Sequence, residues 1–155
     1  MTKKQTILLI GSLLLIGLFQ TATLREGHRW NTDFGMYIHH AENLLQGNEY
    51  GNVHYIFNPH QKIHPRSYPP IFPIFLAPVY YFFGFNLKVM KDEQILFFLF
   101  FLFVFVLGAM RHFSFHIVLF SVWSLGISPA VMTFKEDIMA YFLFLIFLYS
   151  TLILI

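Results

Sequence analysis

Four long apolar runs, separated by short polar segments, dominate the pattern of the chain. They cover residues 7–24, 95–110, 113–134 and 138–155. A helix that crosses a bilayer needs about 20 consecutive, mostly apolar residues. The run at 95–110 is shorter, but charged side chains at its ends can reach the two interfaces. The pattern therefore predicts about four membrane-spanning helices and an all-α, polytopic membrane protein.

A fifth apolar run, at residues 71–83, is shorter and is interrupted by proline. It carries no charge, and prolines stand at positions 69, 70, 73 and 78. Apolar runs of about 10–14 residues lie at the membrane interface more often than they cross it. Proline also leaves backbone groups unpaired, which lipid cannot satisfy. We therefore expect a proline-broken segment that lies in the membrane surface or dips into it.

The polar region before this segment contains one amphipathic pattern, DFGMYIHHAENLLQGN. Its apolar residues follow helical spacing: Phe34, Tyr37, Ile38, Ala41, Leu44 and Leu45. Asp33 suits the N-cap, and Gly47 suits the position after the last helical turn. The opposite face carries His39, His40, Glu42 and Asn43. We expect a helix that lies flat on the bilayer, with this polar face towards water.

These elements divide a single membrane domain, residues 1–155, into three parts. Residues 1–24 form a first membrane helix, and residues 25–91 form an external loop with the amphipathic helix and the interfacial segment. Residues 92–155 form three further membrane helices. The basic start and the first apolar run also resemble a signal peptide, but no clean cleavage site follows, so we expect an uncleaved helix.

Positive charges place the N-terminus in the cytoplasm, since two lysines precede the first helix. Two maps of the remaining chain are then possible. If residues 71–83 do not cross the membrane, Arg111 is cytoplasmic. If they cross, Lys88 and Lys91 are cytoplasmic. Charge counting is compatible with both maps.

Composition strengthens the membrane assignment and excludes other classes. The 155 residues are 57% hydrophobic and only 12% charged, with a mean hydropathy of +0.61. A soluble domain of this size could not bury so much apolar surface. The net charge of +2 comes without a basic stripe for a nucleic acid. Because the chain has no cysteine, disulfides and thiol chemistry are excluded.

Acidic residues beside the predicted membrane surface are the first candidates for chemistry. The sequence contains no phosphate-binding loop, dinucleotide glycine fingerprint, zinc-protease helix or nucleophile elbow. Asp33 suits a general base that acts on a hydroxyl group, and it also suits a plain helix N-cap. Glu136 and Asp137 stand at the start of the last apolar run, where acids also favour a helix dipole. The residues alone leave both roles open at both places.

Histidines and basic residues are the other candidate ligands. His39 and His40 are metal-ligand types, so a divalent metal is one interpretation. Solvated loop histidines are the other, since the spacing matches no tight ligand set. Arg66, with Lys62, suits a lipid phosphate at the interface, or a side chain that only extends to the membrane surface.

Three stretches together resemble membrane glycosyltransferases of the GT-C superfamily, of the dolichyl-phosphate-mannose and aminoarabinose-transferase type. TDFGMYIHHAENLLQGNEY is similar to their first external loop through Asp33, Tyr37, Ala41, Leu44, Gly47 and Tyr50. SYPPIFPIFLAPVYYFFGFN resembles the segment that follows, through Tyr68, Pro69, Pro70, Pro73, Ala77, Pro78 and Gly84. GISPAVMTFKEDIMAYFLFLIFLY is similar to a later stretch through Ser128, Pro129 and Glu136, with Lys135 in place of the usual serine.

The resemblance implies transfer of a sugar from a polyprenyl-phosphate donor to an acceptor on the extracytoplasmic side of the cytoplasmic membrane. It implies that Asp33 is the essential acid, either as the base or as the residue that positions the acceptor. The second acid is then Glu136, with Asp137 as a near alternative. Because both acids must lie on the external face, the resemblance also implies that residues 71–83 do not cross.

The resemblance implies binding residues as well. Arg66, with Lys62, would hold the donor phosphate at the membrane surface. The loop and acceptor candidates are Tyr37, His39, His40 and Tyr68.

The chain departs from the family in its length. Relatives have more membrane helices and a further external part that reads the acceptor, whereas this sequence ends within an apolar run. We therefore expect an N-terminal portion, whose partner is the missing C-terminal half or another membrane subunit. The rival interpretation is a small non-enzymatic membrane protein that binds lipid or a larger membrane subunit.

Overall fold

The computed structural model describes residues 1–25, 27, 34–55, 58–62, 68–129, 131, 149–150 and 152. They form five helices: α1 Lys3–Ala22, α2 Phe34–Gln46, α3 Ile71–Phe83, α4 Leu87–Ala109 and α5 Phe115–Gly126. Two short strands, β1 His54–Tyr55 and β2 Asn58–Lys62, lie between α2 and α3 in the chain. The helical class is as predicted, and the small two-stranded sheet is an addition that the sequence patterns did not indicate.

The chain divides into two compact units. Unit 1 comprises Met1–Leu24 and Gln94–Ile155, and unit 2 comprises Arg25–Glu93. Unit 2 covers nearly the same residues as the predicted external loop, 25–91. It therefore holds both the amphipathic helix and the proline-containing segment.

The two strands form an antiparallel pair within unit 2. His54 pairs with Lys62 and Tyr55 with Asn58, with an irregularity in register between the first two residues. In a two-stranded sheet both strands are edges, and an edge strand tolerates the proline at position 59. Lys62, the predicted partner of Arg66 at a phosphate, is the last residue of β2.

Two helices among the described residues are long and apolar enough to cross a membrane, α1 with 20 residues and α4 with 23. A capping box between Thr2 and Gln5 fixes the start of α1. Helix α5 has 12 residues, about 18 Å of helix, and is shorter than a span. Most of the fourth predicted span, 138–155, lies outside the described residues. The count of four spans therefore stays a prediction.

Small and polar residues join α1 to α5 in unit 1. The side-chain amide of Gln20 is buried and donates from Nε2 to the Gly126 carbonyl oxygen at 2.6 Å. The indole Nε1 of Trp123 donates to Ser12 Oγ at 3.2 Å. A small residue at a helix contact allows close approach of the backbones, and side-chain hydrogen bonds then hold the pair in an apolar medium.

Replacing Gly126 by valine should destabilise unit 1 by about 1–3 kcal/mol, because overpacking displaces side chains or backbone. A Cβ at this position would lie 2.6 Å from the Cδ1 atom of Ile16, a fully buried residue. Gly11→Val is the control, since a Cβ there meets no atom within 4 Å. Reversible unfolding in mixed micelles measures both variants. Equal losses of stability would show that the α1–α5 contact contributes nothing specific.

The expectation that residues 71–83 are broken by proline is wrong, because they form one continuous helix, α3. Pro70 is its N-cap and Pro73 lies in its first turn, where backbone amides have no partner within the helix. Only Pro78 stands in the interior, where it removes one intrahelical bond. Helix α3 ends at Phe83 and is followed by the C-cap Gly84, whose φ of +62° is strained for other residues. Its 13 residues span about 20 Å, less than a bilayer.

The predicted extent of the amphipathic helix is confirmed, but the expectation that its polar face lies towards water is wrong. Helix α2 ends before Gly47, which has a φ of +69° as expected of a glycine after a helix. The polar face is not turned to water, since His39, His40 and Asn43 are buried. Leu44 and Leu45 on the apolar face are exposed, which is compatible with a helix that lies on a bilayer. The reason for the burial of the polar face is that α2 is covered by α3 and by the turn at residues 48–53, which supplies hydrogen-bond partners for polar side chains.

Candidate functional site

Helices α2 and α3 pack side by side and run in the same direction. The ring of Phe34, the first residue of α2, lies 6.5 Å from that of Phe72 near the start of α3. Further along both helices, Tyr80 is hydrogen-bonded to Glu42. The two helix starts therefore lie at the same end of the pair. Asp33, the predicted base, is bonded to Phe34 in the sequence but lies outside the described residues.

His40 attaches the turn after α2 to the helix itself. Its ring stacks on that of Tyr50, with 4.1 Å between the ring centroids and 13° between the planes. His40 Nδ1 lies 2.7 Å from the Tyr50 carbonyl oxygen. A carbonyl oxygen only accepts, so Nδ1 carries the hydrogen and donates it. Since the exposed fraction of His40 is 0%, this pairing occurs in the interior of unit 2.

Asn43 and Tyr50 extend this connection to the start of α3. Asn43 lies one turn beyond His40 and donates from Nδ2 to the Asn52 carbonyl oxygen at 2.8 Å. The Tyr50 hydroxyl donates to the Tyr68 carbonyl oxygen at 2.8 Å. Burial raises the pKa of Tyr50 to about 12, so this hydroxyl stays protonated and remains a donor at physiological pH.

Tyr68 completes a cluster of rings at the common end of α2 and α3. Its ring lies 5.0 Å from that of Tyr37 and 6.0 Å from that of His40. The ring of Phe72 meets Tyr37 edge to face at 5.1 Å. We call Tyr37, His40, Tyr50, Tyr68 and Phe72 the aromatic cluster. Tyr37 and His40 are buried, whereas Tyr50 and Tyr68 are partly exposed and offer ring surface to a ligand.

Glu42 is the centre of a second polar group, beyond the aromatic cluster along α2. Its carboxylate accepts from Gln46 Nε2 at 3.0 Å and from the Tyr80 hydroxyl. His39 Nδ1 lies 3.7 Å from Glu42 Oε2. The pKa of Tyr80 is raised to about 12, first by burial and then by the hydrogen bond and negative charge of Glu42. This group connects α2 to α3 with a neutral tyrosine as the donor.

Lys91, treated above as a topology marker, is buried within unit 2. Its Nζ donates to the carbonyl oxygens of Arg25 at 3.0 Å and Gly27 at 2.5 Å. The ammonium group therefore joins the start of α4 to the segment that follows α1.

The described residues bring together part of the predicted site. Tyr37, His40 and Tyr68 belong to the aromatic cluster, and His39 lies beside Glu42. The interpretation of His39 and His40 as solvated loop residues is wrong, because both are buried. Four of the remaining predicted residues lie outside the described part of the chain: Asp33, Arg66, Glu136 and Asp137. For Lys62, the structure describes the backbone only.

Two residues that hold the site together, Tyr50 and Asn43, were not identified as site residues from the sequence. Tyr50 was a motif position without a role, and Asn43 was only a polar residue on one face of a helix. No local pattern marks Asn43, because its partners are carbonyl groups in the turn that follows α2. Within the ranges that the structure describes, no three His, Cys, Asp or Glu side chains are grouped closely enough to hold a metal ion.

Comparisons of the chain with protein-family models, with curated proteins and with solved structures each found no match. The chemistry of the site therefore rests on the residues themselves. Partly exposed tyrosine rings beside a helix start suit a hydroxyl-rich ligand, since such rings combine an apolar face with a polar edge.

Proposed function

We propose that this chain acts as a multi-pass membrane glycosyltransferase that takes a sugar from a polyprenyl phosphate. The observation that carries the proposal is the aromatic cluster. Two motifs that resemble the GT-C superfamily, one around Tyr37 and Tyr50 and one around Tyr68, lie apart in the sequence. In the structure they meet through the Tyr50–Tyr68 hydrogen bond and the contact of the Tyr37 and Tyr68 rings.

In this proposal Asp33 is the general base for the acceptor hydroxyl. It directly precedes Phe34, at the end of α2 where the aromatic cluster lies. Such a base contributes about 10²–10⁴-fold to a transfer reaction when it lies within hydrogen-bond reach of the acceptor. The partly exposed rings of Tyr50 and Tyr68 would hold a sugar face beside it.

The remaining roles in the proposal belong to charged residues elsewhere in the chain. Arg66, with Lys62, holds the donor phosphate, since guanidinium groups form paired hydrogen bonds with phosphate oxygens. Glu136, or Asp137 beside it, supplies the second acid.

The length of α3 supports the topology that the proposal requires. Between the two long helices α1 and α4, the described helices α2 and α3 have 13 residues each, too few to cross a bilayer. Both ends of unit 2 would then lie on one side of the membrane. With a cytoplasmic N-terminus, that side is extracytoplasmic, where a polyprenyl-phosphate sugar would be used.

Single cysteines test this arrangement, because the natural chain has none. Thr32→Cys reports on the loop beside Asp33, and Thr133→Cys reports on the segment that leads to Glu136. We expect a membrane-impermeant maleimide to label both positions in intact cells. If Thr133→Cys reacts only after permeabilisation, the two acids lie on opposite sides and cannot form one site, which would refute the proposal.

A further inference from the structure

The end of α3 exposes aromatic rings on the sides that do not face α2. Tyr81, Phe82 and Phe83 have exposed fractions of 71%, 75% and 58%. Consecutive residues of a helix are turned by about 100°, so these three side chains cover most of its circumference. Phe85, after the turn at Gly84, is also exposed. In the first half of α3, by contrast, Phe72 and Leu76 are buried.

No charge accompanies this surface, which we call the aromatic tip and define as Tyr81, Phe82, Phe83 and Phe85. The chain has no charged residue from position 71 to position 86, and the first one after it is the exposed Lys88. A solvent-exposed helix end usually carries polar side chains, so four large rings in water would be costly. The aromatic tip therefore requires a covering surface.

A lipid bilayer fits this surface better than another protein does. Helix α4, which is long and apolar enough to cross a membrane, begins two residues after Phe85, and its apolar part begins at Ile95, about 12 Å further along the helix. The chain therefore holds the aromatic tip close to the level where α4 would enter the bilayer. Aromatic rings concentrate at that level, and lysine beside them contacts lipid phosphates. A single stripe of apolar side chains would suit a protein groove, whereas rings exposed on all sides but the one that faces α2 suit lipid.

We infer that the aromatic tip is inserted into the interfacial layer of the bilayer on the side where α4 begins, with Lys88 at the lipid headgroups. The inference goes beyond the proposed function, because it does not depend on sugar transfer. It assigns α3 two parts: a first half that packs on α2 and a tip that fixes the depth of unit 2 at the membrane.

Nitroxide labels on single cysteines measure this depth in the full chain reconstituted in phospholipid vesicles. We expect the label at Phe82→Cys to lie about 5–10 Å below the lipid phosphates. There it should collide more often with oxygen than with a water-soluble nickel chelate. Asn48→Cys, an exposed position in the turn after α2, is the control in unit 2 and should show the reverse order. Tyr81→Cys is a second label in the same tip.

Two results would overturn the inference. One is that the labels at Phe82→Cys and Tyr81→Cys collide with the nickel chelate as often as the label at Asn48→Cys does. The other is strong magnetic coupling between Phe82 labels of neighbouring molecules, which would show that a second copy of the chain covers the tip. Because Phe82 is mostly exposed, its replacement by cysteine is not expected to disturb folding.

Discussion

Replacing Asp33 by asparagine should lower the rate of sugar transfer by about 10²–10⁴-fold, the usual contribution of a general base. Asparagine has nearly the same shape, but its amide cannot take a proton from an acceptor hydroxyl. Asparagine also caps helices about as well as aspartate does, so the start of α2 should keep its stability. The measurement is transfer from a radiolabelled polyprenyl-phosphate hexose in membranes, together with the amount of inserted protein.

This substitution separates the two roles that the residue type permits. If Asp33 only caps α2, Asp33→Asn leaves transfer unchanged, whereas Asp33→Ala lowers the stability of unit 2 by about 1 kcal/mol. Glu49→Gln is the matched control, because Glu49 is an exposed acid shortly after α2. Transfer that survives Asp33→Asn at the wild-type rate would show that Asp33 is not the base. Wild-type chain that gives no transfer above membranes without it would favour the rival interpretation, a non-enzymatic membrane protein that binds lipid or a larger subunit.

Replacing His40 by alanine should destabilise unit 2 by about 3 kcal/mol, the second large effect that we expect. The lost hydrogen bond to the Tyr50 carbonyl accounts for about 1 kcal/mol and the ring stack for about 0.5–1.5 kcal/mol. A cavity at a fully buried position accounts for the remainder. Amide hydrogen exchange of α2 and of residues 48–53 measures the effect, because loss of stability shortens the protection of both segments.

Two further variants make this prediction specific. His40→Asn keeps a side-chain N–H near the position of Nδ1 and should restore part of the lost stability. His112→Ala is the control, since His112 is exposed in the turn after α4. Equal protection in His40→Ala and His112→Ala would mean that the contact with Tyr50 does not hold the turn in place.

Local patterns were sufficient for the extent of some elements. The helical spacing from Phe34 to Leu45, with a glycine at position 47, predicted α2 almost to the residue. This succeeds because backbone hydrogen bonds and helix ends depend on nearest neighbours along the chain. The same reasoning failed for α3, because it counted prolines without regard to their position. Two of them lie at the N-cap and in the first turn, where proline is tolerated.

Patterns of hydrophobicity were not sufficient for the environment of a side chain. His39, His40 and Asn43 share a polar face, which predicted contact with water. All three are buried. The turn after α2 brings the carbonyl oxygens of Tyr50 and Asn52 to His40 and Asn43, while His39 lies beside Glu42 of the same helix. Periodicity identifies which residues lie on one face of a helix, but it contains no information about what covers that face.

The sequence by itself determined the apolar character of α1 and α4, the bounds of α2 and the resemblance of its motifs, since all of these are properties of neighbouring residues. Only the tertiary structure decided that Tyr50 bonds to Tyr68, that Lys91 is buried against the carbonyls of Arg25 and Gly27, and that Tyr81, Phe82 and Phe83 are exposed. The two contacts join residues that are distant in the chain, and their free energy depends on the burial that packing creates. The exposure of the end of α3 likewise depends on which segments pack against it.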